Sequence, residues 1–287
     1  MIKVYLVGRL AIVSAMVFCC QAMAQDDQTE NFESITVDGG TRYYRLYVPE
    51  SYEEGIPVPL VFDFHGSSSN PARQEETAQF ETLAAEKGFV VVTPRGEPVP
   101  SNGGRNSWNV DLLPGDPDDV SFVRAMIEEL SELYSIDGDR IYATGHSGGG
   151  RMSSRVACSL SDAVAAIAPN AGIRWPEVCD PVRPVPIITF HGKQDSVNHY
   201  EVQPDSPSYW PLGVEDSLAG WVKNNQCNTT PIETPVSETR TRVSYQECKD
   251  GGDIVFYRSE TDGHVWSDIA TNLIWEFFES HPMNWDK

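Results

Sequence analysis

Ser147 stands in the run Gly145-His146-Ser147-Gly148-Gly149-Gly150, after the apolar, β-branched stretch 141–144 and before residues 151–160, which read as a helix. A serine between a strand end and a helix start must take a strained backbone, so it needs small neighbours on both sides. Gly145 and Gly149 supply them. The helix start also aims free amides at any negative charge that develops beside the hydroxyl. The chemistry served by such a site is nucleophilic attack by the serine oxygen, which needs a base to take its proton and an acid to orient the base.

Both partners are present in the chain order Ser, acid, His, each just past a strand end. Residues 185–190 read as a strand and run into His191-Gly192-Lys193-Gln194-Asp195, which puts Asp195 on the next loop. Residues 254–258 lead in the same way to Thr261-Asp262-Gly263-His264. Among the six histidines, His65 follows a strand too early, His146 belongs to the elbow itself and His191 precedes the acid. His199 lies in an irregular stretch and His281 at the far end of the last helix, which leaves His264 as the base. Asp262 and Asp268 read as solvated loop or cap residues. For the oxyanion, one amide should come from Gly148 and the other from Ser67, in the turn His65-Gly66-Ser67 that ends an earlier strand. Trp108, Trp266 and His65 are the candidate substrate-facing side chains, with Tyr209 and Trp210 as a further aromatic wall. No H-E-x-x-H or C-x-x-C occurs, so no metal site is expected.

The elements that must position these residues alternate along the chain. Residues 34–37 and 42–48 read as a hairpin turning at Asp38-Gly39-Gly40, and 59–64 as a buried strand. The spacing of Phe80, Leu83 and Ala84 predicts one helix over 74–87, stopped by Gly88, and 89–93 is the next strand. A long Gly-, Pro- and Asn-rich loop reaches Asp118, and loops of that length usually serve function. Residues 120–134 form an amphipathic helix with Phe122, Val123, Met126, Ile127 and Leu130 inward. Strands at 164–168, 185–190 and 254–258 alternate with the elbow helix and helices at 215–224 and 269–279. That alternation predicts an α/β class with a mostly parallel central sheet and helices on both faces, in a single domain over 25–287.

Residues 1–24 read as a signal peptide, with Lys3 and Arg9 before the apolar run 10–20 and Ala22-Met23-Ala24 as the cleavage site. The apolar run is too short to span a bilayer. A net charge of −21 argues against nucleic acid and anionic membranes as partners, and no obligate protein partner is evident. Cys158, Cys179, Cys227 and Cys248 remain after cleavage, which in an exported chain reads as disulfides. Of three possible pairings, Cys158–Cys179 and Cys227–Cys248 close short local loops.

The chain resembles the secreted esterase family that groups polyhydroxybutyrate-depolymerase-like proteins with feruloyl and acetylxylan esterases. The residues that carry the resemblance are His65-Gly66, Ser107-Trp108, Asp118-Asp119-Val120 and Gly145-x-Ser147-x-Gly149-Gly150. His191-Gly192-x-x-Asp195, Trp221 followed by Cys227, and Gly263-His264-x-Trp266 continue it. The resemblance implies an α/β-hydrolase fold, a Ser147-Asp195-His264 triad, the two local cysteine pairs and no cofactor. It implies hydrolysis of carboxylic esters of the feruloyl type, with polyhydroxybutyrate or aromatic polyesters as the alternative and a secreted serine peptidase as a more distant one. The family's Gly-Gly-Gly-His-x-Trp-Pro block is here Thr261-Asp262-Gly263-His264-Val265-Trp266-Ser267, which predicts a more mobile or differently shaped loop.

Overall fold

The computed structural model describes residues 31–283, so the signal peptide read at 1–24 lies outside the described residues. Strands β1 (Glu33–Val37) and β2 (Gly40–Tyr47) pair as the expected hairpin, with Asp38 and Gly39 at positive φ in the turn. Strand β3 (Val58–Phe64) is followed by helices α1 (Pro71–Ala78) and α2 (Phe80–Lys87), then β4 (Val90–Pro94). A short ribbon, β5 (Glu97–Val99) with β6 (Arg105–Ser107), precedes α3 (Asp119–Leu133). Strand β7 (Ile136–His146) leads into α4 (Gly148–Ser159), and β8 (Ala166–Asn170) and β9 (Ile187–Gly192) follow. The chain closes with α5 (Val214–Asn224), β10 (Ile232–Pro235), β11 (Arg240–Tyr245), β12 (Ile254–Ser259) and α6 (Ala270–Ser280).

Ten strands form one sheet in the order β1-β2-β4-β3-β7-β8-β9-β12-β11-β10. The stretch from β4 to β12 is parallel and both edges are antiparallel, as the alternation of strands and helices predicts for the centre. Alternate residues of each central strand feed two separate cores. Leu60, Phe62, Phe64, Ile254 and Phe256 meet α3, α4 and α5 on one face. Val61, Val91, Tyr142, Val255 and Tyr257 meet α2 and α6 on the other. Because every parallel strand is buried on both faces, it reads as a nearly continuous apolar run. Its C-terminal end is therefore where polar residues can emerge.

Three stretches depart from expectation. The helix predicted over 74–87 is two helices, broken at Gln79, which is left-handed (φ 57°). The Gln79 side chain donates to the Glu76 carbonyl and so caps α1, while Phe80 opens α2 and drops into the core. The apolar spacing survives the break, which is why it reads as one helix. The long loop before Asp118 contains the β5–β6 ribbon. It is tied down by Asp119, which is buried, bonds Arg42 of β2 at 2.6 Å and accepts the Asn109 amide at 2.6 Å. Strands β10 and β11 are the third departure, since β10 is exposed along its whole length and carries no alternating apolar face.

Cysteine pairs Cys158–Cys179 and Cys227–Cys248 are bonded, with S–S distances of 1.92 and 2.00 Å. Among the described residues, no helix is long and apolar enough to cross a membrane.

Candidate active site

Ser147 lies between β7 and α4 at φ 56°, ψ −113°, a backbone conformation that a side chain rarely adopts. The surrounding packing holds it there. The Ser147 amide donates to the Asn170 carbonyl at the end of β8 (2.9 Å) and its carbonyl accepts from Arg151 (3.0 Å). A Cβ on Gly149 would meet the Phe64 carbonyl oxygen at 1.9 Å, and one on Gly145 would meet it at 2.4 Å. Glycine is thus required by close approach of β7, α4 and the end of β3.

The turn after β3 closes over the serine. A Cβ on Gly66 would stand 3.4 Å from the Ser147 Cβ, and one on Gly148 would stand 2.8 Å from the Ser67 amide nitrogen. The structure therefore brings together the two amides expected to face the oxyanion. Among the described residues neither amide has a hydrogen-bond partner.

Asp195 and His264 meet as expected: His264 Nδ1 lies 2.7 Å from Asp195 Oδ2. The other Asp195 oxygen accepts the amides of Val197 and Asn198, both at 2.8 Å. His191 Nε2 donates to the Asn198 carbonyl (2.8 Å) and also stands 3.3 Å from Asp195 Oδ2. Burial by itself would raise the Asp195 pKa, but the hydrogen bonds from His191 and His264 outweigh it and hold the carboxyl well below its usual range. An ionised Asp195 fixes the His264 proton on Nδ1 and leaves Nε2 as the basic atom. The His264 ring lies 5.0 Å from that of His146, the chain neighbour of Ser147. Among the described residues no hydrogen bond joins Ser147 Oγ to His264, a link that in unliganded sites commonly tightens only with substrate. Burial pushes His146 and His65 down to about 4, so both are neutral where the site would work.

The predicted substrate-facing residues divide. His65 is fully buried, accepts the Gly96 amide at Nε2 (2.9 Å) and is placed inside the wall rather than at its surface. Trp108 donates to the His65 carbonyl (2.8 Å) and packs edge-on against Phe64, and it borders a cavity of about 480 Å³. Trp266 is half-buried, bonds Thr271 and sits edge-on to both Phe80 and His146 on the His264 side. Trp210 is buried, whereas Tyr209 is partly exposed beside the cavity. The loop carrying His264 is braced rather than loose, because Arg240 of β11 binds Asp262 (3.0 Å) and Asp268 (2.8 Å).

Sequence reasoning set His191 aside and did not consider Asn198 or Arg151. Arg151 carried one readable signal, a cation one turn past Ser147, but that the first eleven residues of its helix are all buried is visible only in the structure. Among the described residues, no cluster of three or more His, Cys, Asp or Glu could hold a metal ion.

The chain is 30% identical over 246 residues to "Feruloyl esterase B" of Piromyces equi, covering 82% of this chain and 44% of that protein. It is 28% identical over 270 residues to "Feruloyl esterase D" of Neurospora crassa, covering 86% of each. An acetyl xylan esterase from Aspergillus awamori superposes with a TM-score of 0.63 over 87% of this chain and 99% of that one, at 13% identity, which is a likeness of fold. The chain spans about half the length of the curated relatives it matches first. No protein-family model matches it.

Proposed function

We propose a serine carboxylesterase for this chain, which belongs to the α/β-hydrolase family that groups feruloyl and acetylxylan esterases with polyhydroxybutyrate-depolymerase-like proteins. The observation that carries the reading is the buried Asp195 carboxyl bound to His264 at 2.7 Å, with the His264 ring beside the strained Ser147 elbow. Ser147 Oγ attacks the ester carbonyl as His264 Nε2 takes its proton, and the tetrahedral oxyanion is received by the Ser67 and Gly148 amides. His264 then returns the proton to the departing alcohol. Water, deprotonated by the same nitrogen, attacks the acyl-enzyme and the acid leaves with Ser147 restored.

A feruloyl-type acyl group is the substrate reading best supported by the named relatives, and the Trp108 and Trp266 walls suit a planar aromatic acid. We place the enzyme outside the cytoplasm, released from the signal at 1–24 as one catalytic domain over 25–287. The two disulfides agree with an oxidising compartment. The test is a panel of methyl ferulate, acetylated xylan, hydroxybutyrate oligomers, an aromatic polyester and a peptide amide on wild type and Ser147→Ala. Turnover of methyl ferulate above the others, abolished in the variant, is expected. Turnover that survives Ser147→Ala would contradict the mechanism, and a preference for the oligomers would move the substrate to the polyester class.

A further inference from the structure

Three guanidinium groups, those of Arg151, Arg155 and Arg174, are buried on the Ser67 side of the elbow, each at most 4% exposed. Asp111, which binds Arg174 at 2.7 Å, is the one carboxylate in ion-pair contact with any of them among the described residues. Arg151 is held by neutral groups: Asn198 Oδ1 at 2.9 Å, Ser67 Oγ at 3.2 Å and the face of the Tyr209 ring at 4.2 Å. Arg174 also donates Nη1 to the Tyr209 carbonyl at 2.8 Å, and among the described residues its buried Nε has no hydrogen-bond partner. Such charge is costly to bury and is normally matched by an anion.

The place of this excess makes it a site. Arg151 and Arg174 line the cavity of about 480 Å³, with Trp108 and Tyr209 as aromatic walls and exposed Arg105 also bordering it. Ser107, on the same wall, shares a 2.7 Å hydrogen bond with Ser67 Oγ, so the cavity begins one side chain from the Ser67 amide. A chain of net charge −21 thus keeps a cationic pocket beside its candidate nucleophile.

We infer that this cavity is an anion subsite that takes a carboxylate carried by the ester, held by Arg151 and Arg174. The inference rests on the carboxylesterase reading and extends its substrates to esters that also bear a free carboxylate close to the scissile bond. Guanidinium suits the task, since it is permanently charged and can hold a carboxylate through two parallel hydrogen bonds.

The experiment compares p-nitrophenyl butyrate with the p-nitrophenyl hemiester of glutaric acid at high salt, which screens the acidic surface. Wild type should favour the hemiester at least tenfold in kcat/KM, mainly through KM, and free glutarate should compete against the neutral ester. Arg151→Met and, independently, Arg174→Met should collapse that ratio towards one and abolish glutarate competition, with Arg151→Lys keeping part of it. Arg174 does not touch Ser67, so its variant separates carboxylate binding from damage to the oxyanion site. Equal or better hydrolysis of the neutral ester by wild type, or a ratio untouched by both methionine variants, would overturn the subsite and leave the esterase standing. Failure on both esters would overturn the esterase reading and this inference with it.

Discussion

A Cβ on Gly148 would press on Ser67, 2.5 Å from its Oγ and 2.8 Å from its nitrogen, one of the two amides proposed to receive the oxyanion. Gly148→Ala should therefore lower kcat by ~10²–10³, the usual effect of losing one oxyanion donor, and lower the melting temperature as well, because the Ser67 backbone must shift to admit the methyl group. Asp195→Asn should cost about 10⁴ in kcat, because the amide no longer fixes the His264 tautomer, whereas Asp262→Asn removes one contact to Arg240 and should stay mild. The reverse ranking in kinetics would move the acid to Asp262. Asp63 allows a test of stability against pH. It is fully buried in β3, accepts from Gln74 at one oxygen and among the described residues has no hydrogen-bond partner at the other, and burial raises its pKa well above 3.8. A raised carboxyl means that the folded state binds the proton more tightly than the unfolded chain. Stability from this group is therefore greatest below 3.8 and falls as pH rises towards the folded pKa. Asp195, whose pKa is depressed, acts in the opposite direction and is lost only as pH falls below 3.8. Thermal melts of wild type and Asp63→Asn should show the variant gaining relative stability as pH rises from 4 to 8; a constant difference would mean that Asp63 folds ionised.

At the scale of elements, a buried ion pair is one of the anchors of the loop from β4 to α3. Arg42 and Asp119 are 5% and 1% exposed, and Asp119 also holds the amide of Asn109, next to Trp108. Arg42→Met strands a buried carboxylate and should cost about 3–5 kcal/mol in denaturant unfolding, the usual penalty for breaking such a pair. A loss of under 1 kcal/mol would show that the loop does not need this anchor. The same stretch marks where sequence stops short. Parallel strands are legible because burial on both faces leaves an unbroken apolar run, and the end of each run locates Ser67, Ser147, Asp195 and His264. The break at Gln79 escapes notice because the apolar spacing continues across it, and β10 because an exposed edge strand has no face to pattern. Arg151 meets Ser67 and Asn198, 84 and 47 residues away, which spacing alone does not reveal, whereas His191 and Asn198 stand four and three residues from Asp195 around an irregular loop with no period to read.

For the whole molecule, the chemistry gathers at the C-terminal ends of the central parallel strands, while the two disulfides tie down α4 and the stretch after β11. Each closes a loop of 21 residues' separation and should contribute ~2–4 kcal/mol. Reduction should lower the melting temperature; an unchanged melt under reductant would mean that the bridges do not form in the purified protein. The central claim is that Ser147 is the residue that becomes acylated. It is tested most directly by treating wild type and His264→Ala with a fluorophosphonate and locating the adduct by peptide mass spectrometry. The account predicts one adduct per chain, on Ser147 of wild type, formed with loss of ester hydrolysis and largely absent from the variant. An adduct on another residue, or full ester hydrolysis after Ser147 is labelled, would contradict it.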